Sequence, residues 1–93
     1  MPTPTPDRSV VNSTTAAFGE RVRSRRQELG LSQEAAAQRC GIHWTQFGKV
    51  ERGQRSLRLE TIVRIADGLA IDAGQLVSGL PLPEWRGRDQ DQQ

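Results

Sequence analysis

The chain has 93 residues, with 13 Lys+Arg against 11 Asp+Glu for a formal net charge of +2, and 34% of its residues are hydrophobic. That length suits one small domain, not a full-size enzyme core, and no apolar run approaches the ~20 residues that cross a bilayer. The start, Met1–Asp7, is Pro/Thr-rich and lacks the basic head and apolar centre of a secretory signal. The single Cys cannot form an internal disulfide, so the chain reads as cytoplasmic, without a membrane partner.

Residues 1–14 hold Pro2, Pro4 and Pro6 with Ser, Thr and Asn, and only Val10 and Val11 to bury. A disordered arm is expected there, because so little burial does not offset the entropy of ordering. Residues 15–80 carry helical periodicity throughout. Phe18, Val22 and Leu29 fall on one face of a helix over about Ala16–Leu29, which Gly30 ends. Ser32 caps a second helix, Gln33–Cys40, with Glu34 near its positive end, and Gly41 stops it. A third runs over Trp44–Arg52 to Gly53. The fourth, about Leu59–Leu69, has Leu59, Ile62, Val63, Ile65, Ala66 and Leu69 almost all round it, the pattern of a central helix. Asp72 starts a fifth with Gln75 as its capping box, and Leu76, Val77 and Leu80 form its apolar side. Residues 81–93, with Pro81, Pro83 and a Gln/Asp-rich finish, read as a flexible tail. The expected fold is all-α, five short helices.

The charge is unevenly spread. Residues 18–55 hold Arg21, Arg23, Arg25, Arg26, Arg39, Lys49, Arg52 and Arg55 against Glu20, Glu28, Glu34 and Glu51, a local net of +4. The segments 56–80 and 81–93 are each −1. A basic block of this kind is the footprint of a polyanion-binding face, although an Arg-rich solvated surface reads the same way. Within the block, Ala36, Ala37 and Cys40 line the inner side of the second helix, and Phe47 and Val50 are spaced i, i+3 on the third. Small side chains let two helices cross closely at a steep angle, as a helix-turn-helix requires for its second helix to enter a major groove.

The stretches Gly19–Gln33, Cys40–Ile42, Val50–Gly53, Leu59–Ala66 and Ile71–Leu76 follow one another as G-E-R-V-R-S-R-R-Q-E-L-G-L-S-Q, C-G-I, V-E-R-G, L-E-T-I-V-R-I-A and I-D-A-G-Q-L. In this order and spacing the chain resembles the lambda-repressor-like (Cro-like, xenobiotic-response-element type) helix-turn-helix domains over about Phe18–Leu80. The resemblance implies a small transcriptional regulator, a repressor by preference, that binds double-stranded DNA and acts in the cytoplasm, on the nucleoid if bacterial. It implies base contacts by Trp44, Thr45, Gly48 and Lys49. Backbone contacts fall to Gln33, Arg23, Arg25, Arg52 and Arg55. Phosphate contacts fix register while base contacts read sequence. Arg26 lies beside the apolar seam of the first helix, where a cation needs a partner, and the family pattern supplies Glu51.

Departures from that pattern leave alternatives open. Ala36 stands where Leu or Val is usual and Phe47 where Ile or Val is commoner, a swap that conserves volume across the helix pair. His43 replaces a Ser/Thr cap. Trp44 either packs on its own domain or touches DNA. Gly48 costs the third helix about 1 kcal/mol relative to Ala, which a close approach to DNA or plain tolerance would explain. Cys40 and His43 form a C-x-x-H pair, but zinc needs three or four ligands and no other Cys or His exists. No cofactor and no catalytic set is indicated. One helix-turn-helix buries little surface, so a homodimer through the fifth helix and the C-terminal tail, with Trp85, is expected. The competing reading is an antitoxin-like or adaptor module that uses the fold to bind a protein partner, such as a toxin or another regulator.

Overall fold

The computed structural model describes residues 10–84. Five helices follow in order: α1 Ser13–Glu28, α2 Gln33–Cys40, α3 Trp44–Glu51, α4 Leu59–Gly68 and α5 Ala73–Val77. The all-α architecture expected from the periodicity is the one observed. Trp85 and the ends of the arm and tail lie outside the described residues.

Helix α1 begins at Ser13, earlier than Ala16, because polar groups rather than apolar ones secure its start. Thr15 N–H donates to Asn12 Oδ1 at 2.9 Å, and Asn12 N–H donates back to Thr15 Oγ1 at 3.2 Å, a reciprocal cap. Val11 N–H and the Thr15 hydroxyl both donate to Gly53 O, at 2.8 and 2.9 Å, joining the start of α1 to the turn after α3. From the far end, Glu84 accepts from the Ser13 amide at 2.8 Å and from the Ser13 hydroxyl. Those two bonds, the hydroxyl foremost, hold the Glu84 carboxyl below its ordinary range.

The caps of α2 form as expected: Ala35 N–H donates to Ser32 Oγ at 3.0 Å, and Gly41 closes the helix at φ +70°. The α5 box does not form. Asp72 makes no side-chain capping bond, and Gln75 N–H instead donates to the Asp72 carbonyl at 2.9 Å. Nor is α4 apolar-buried all round. Ile65, Ala66 and the following Leu69 are buried, whereas Leu59 is 73% and Val63 53% exposed, since only one side of α4 meets α2 and α5.

The core joins all five helices through Phe18, Val22, Ala36, Ala37, Cys40, Phe47, Val50, Ile65, Ala66, Leu69 and Leu76. Helix α1 packs on α3 and α5, and α2 packs on α3 and α4. Two crossings are close enough to require glycine. A Cβ on Gly19 would lie 2.5 Å from Glu51 O, and one on Gly68 would lie 2.7 Å from Cys40 Cα. Burial pushes the Cys40 thiol up to about 11. Its Sγ sits 3.7 Å from Ile65 O, so Cys40 acts as a small core residue.

Gly19 makes helix propensity and packing oppose each other. Propensity alone favours Gly19→Ala by ~1 kcal/mol, but the collision is with backbone that cannot swing aside, and overpacking of this kind costs ~1–3 kcal/mol. Urea denaturation should therefore show Gly19→Ala less stable than wild type; a gain in stability would mean α1 and α3 are not in this contact. The Cys40 thiol should resist alkylation near neutral pH in the native protein and react once urea unfolds it.

Candidate nucleic-acid interface

Two facing helices build the site. Ala36 and Ala37 present almost no bulk on α2, so the Phe47 ring of α3 fits fully buried beside them, with Val50 next to it. The small-for-large exchange noted at Ala36 and Phe47 is thus one packed layer. With Phe47, Val50 and Glu51 turned inward, helical geometry leaves Trp44 and Thr45 exposed and Lys49 half-buried on the outer side. Trp44 does not join the core: it is 51% exposed, and its ring lies against His43 with centroids 6.3 Å apart and planes 22° from parallel.

The orientation of α3 is held from within. Glu51, only 7% exposed, accepts from Arg26 Nε at 2.5 Å, Arg26 Nη2 at 3.1 Å and Gln33 Nε2 at 2.8 Å. Arg26 Nη1 also donates to Leu31 O at 2.9 Å. One carboxylate therefore ties α1, the first residue of α2 and the end of α3 together. The pairing of Arg26 with Glu51 that the family pattern implies is present in the fold. Fully paired, such a buried ion is tolerated; losing one partner strands the other.

Gln33, Arg23 and Arg52 line one groove with Arg26 and Glu51, so three of the expected backbone-contact residues come together beside α3. Arg23 also pairs with Glu20 at 3.6 Å, an exposed contact of little strength. Three other residues are placed differently. Gly48 is buried rather than presented outward: Arg52 Nη1 would lie 3.2 Å from a Cβ there and Gln33 Oε1 3.5 Å. A Cβ there would meet only the flexible ends of the Arg52 and Gln33 side chains. Arg25 is turned to α4, donating through Nε to Leu69 O and through Nη2 to Ala70 O, both at 2.9 Å, and pairing with Glu28 at 3.1 Å. Arg55 is exposed beyond α3 but borders a separate apolar cleft with Phe18, Leu57, Ile62 and Val77.

Two roles escape charge counting. Arg21 Nη1 donates to the carbonyls of Gln75, Leu76 and Ser78 at 3.3, 3.2 and 2.6 Å, satisfying the end of α5. Its spacing of four from Arg25 places both on one face of α1, the only signal the sequence carried. His43 caps α3, Thr45 N–H donating to its Nδ1 at 3.2 Å.

A short helix lying against the body, a tight glycine turn and a second helix with an exposed polar face beside a basic groove define a helix-turn-helix of the kind that reads duplex DNA. A helix-turn-helix domain family matches residues 17–78, and the chain belongs to it. It is 35% identical over 77 residues to an uncharacterized transcriptional regulator in the ATPase CF(0) region of Rhodospirillum rubrum, covering 83% of this chain and 71% of that one. It is 37% identical to control protein C.SmaI of Serratia marcescens, covering 75% and 83%. The crystal structure of the restriction–modification controller protein C.AhdI from Aeromonas hydrophila superposes with a TM-score of 0.65 at 40% identity, over 67% of this chain and 94% of that one. The chain is accordingly a helix-turn-helix transcriptional regulator.

Glu51→Gln keeps the shape but leaves the Arg26 guanidinium without its counter-charge, and should lower stability by ~3–5 kcal/mol. Gln33→Ala removes one donor and should cost ~1 kcal/mol. Equal losses in urea denaturation would show that the ion pair does not dominate the network.

Proposed function

We propose that this protein binds double-stranded DNA sequence-specifically as a homodimer and represses transcription, acting in the cytoplasm on the nucleoid. The single observation that carries this reading is α3 itself, which exposes Trp44 and Thr45 on its outer side and whose end, at Glu51 and Arg52, lines a groove with Arg23 and Gln33. In the reading, α3 enters the major groove. Lys49 donates to guanine O6 or N7, and Trp44 and Thr45 meet neighbouring base edges. Arg23, Gln33, Arg52 and the more distant Arg55 take phosphates, and the positive N-terminus of α2 aids Gln33. Gly48, which is buried, and Arg25, whose guanidinium is bonded to the Leu69 and Ala70 carbonyls, are left out of the contact set, whereas the Gln33 amide bonded to Glu51 keeps a second hydrogen for a phosphate.

One such module needs a second copy to bind tightly, and two-fold symmetry would set the two α3 helices roughly 34 Å apart, one duplex turn. The surface proposed for pairing is α5 with the tail, where Val77 is 40% and Leu82 88% exposed. The competing adaptor or antitoxin-like reading draws on the exposed Leu59 and Val63 of α4, which a protein partner would cover.

Gel-shift titration at two salt concentrations separates the two readings. DNA binding through phosphates gives a log–log salt slope of ~−0.9 per neutralised phosphate; weak binding without a steep slope would leave the adaptor reading. Arg52→Ala should weaken all sequences alike, and Lys49→Ala should relax preference at one base pair by ~1–3 kcal/mol.

A further inference from the structure

His43, the residue that caps α3, meets Thr45 through a single ring nitrogen. Thr45 N–H donates to His43 Nδ1 at 3.2 Å, and the Thr45 hydroxyl oxygen lies 2.8 Å from that same nitrogen. A backbone N–H can only donate, so Nδ1 carries its lone pair and the ring proton sits on Nε2. A hydroxyl 2.8 Å from an unprotonated nitrogen turns its own hydrogen toward it. Both donors share the one lone pair of Nδ1, the hydroxyl at the shorter distance, and a hydroxyl so turned inward presents lone pairs outward. Contact between the His43 and Trp44 rings keeps the imidazole beside Thr45. A Ser or Thr cap would behave differently, since its hydroxyl donates as well as accepts.

The geometry points to His43 as a positioning residue that makes Thr45 an acceptor-only reader, selective for an exocyclic amino group, adenine N6 or cytosine N4. This rests on the DNA-binding reading above. Only adenine and cytosine present a donor in the major groove; guanine and thymine oppose an acceptor with an acceptor. Lys49, which only donates, lies one turn on from Thr45, and the exposed Trp44 indole N–H also only donates, so the outer side of α3 sets one acceptor among donors of fixed polarity.

Binding-site selection from a random duplex pool tests this with the full chain and its His43→Ala, His43→Asn, Thr45→Val and Thr45→Ser variants. Thermal melting confirms that each is folded. Wild type should enrich adenine or cytosine at one position by about tenfold over guanine and thymine. Thr45→Val should flatten that position and Thr45→Ser should keep it. His43→Ala frees the hydroxyl to donate and should admit guanine and thymine there. His43→Asn, whose side-chain oxygen still accepts from Thr45, should restore the preference and covers the case in which the Ala variant fails to fold. A selected site unchanged by Thr45→Val, or a preference that survives His43→Ala, overturns the proposal while leaving DNA binding intact. Failure of wild type to enrich any site overturns both.

Discussion

A carboxylate buried between the first and third helices fixes where the outer surface of the third can go. Glu51 lies at the last turn of α3, and its three donors come from two other elements: Arg26 Nε and Nη2 from α1 and the Gln33 amide from α2. Taking an ion pair out of water costs several kcal/mol per ion, so this arrangement persists only because each oxygen is met by a donor. Its effect is directional. An apolar contact tolerates sliding, whereas a bidentate guanidinium–carboxylate bond accepts a narrow range of positions. The residue opening α2, the end of α3 and the flank of α1 are thereby held in register, and the basic groove beside α3 is assembled from all three.

Steric constraints complete what the ion pair begins. Gly19 lets α1 approach the backbone at the end of α3, which brings Arg26 within reach of Glu51. Gly68 lets α4 cross α2 against Cys40, and Ala36 and Ala37 leave space for Phe47. With the large side chains of α3 absorbed on one side, its polar residues and Trp44 have only the other side to occupy. Interiors are packed closely enough that such a sorting is sharp.

The arginines of α1 show how one block of charge divides. Arg21 and Arg25 donate to the carbonyls that close α5 and α4, Arg26 serves Glu51, and Arg23 alone of the four lines the groove beside α3 without being bonded into the core. A helix C-terminus leaves carbonyls unpaired, and a guanidinium with five donors suits that need as well as it suits a phosphate. Net charge cannot distinguish the two uses. Similar blindness explains the early start of α1: the Asn12–Thr15 cap and the Ser13–Glu84 bonds involve no apolar residue, so a reading built on burial stops short of them. Asp72 errs in the other direction, since a suitable side chain at a cap position does not oblige the bond to form.

The features legible in the chain alone are local or patterned. The helix bounds at Ser32, Gly41 and Trp44, the apolar identity of Phe18, Val22, Phe47 and Val50, and the small-residue turn all follow from propensity, capping and period, which act over a few residues. The pairing of Arg26 with Glu51 was legible only through family resemblance, because no local rule joins residues that far apart. Tertiary structure decided the rest. It turned Trp44 outward, buried Gly48 beneath Arg52, drew Arg25 to α4 and left Leu59 and Val63 of α4 uncovered. Each depends on which helix lies against which, and a side chain's role is set by the neighbours that packing supplies rather than by its own chemistry.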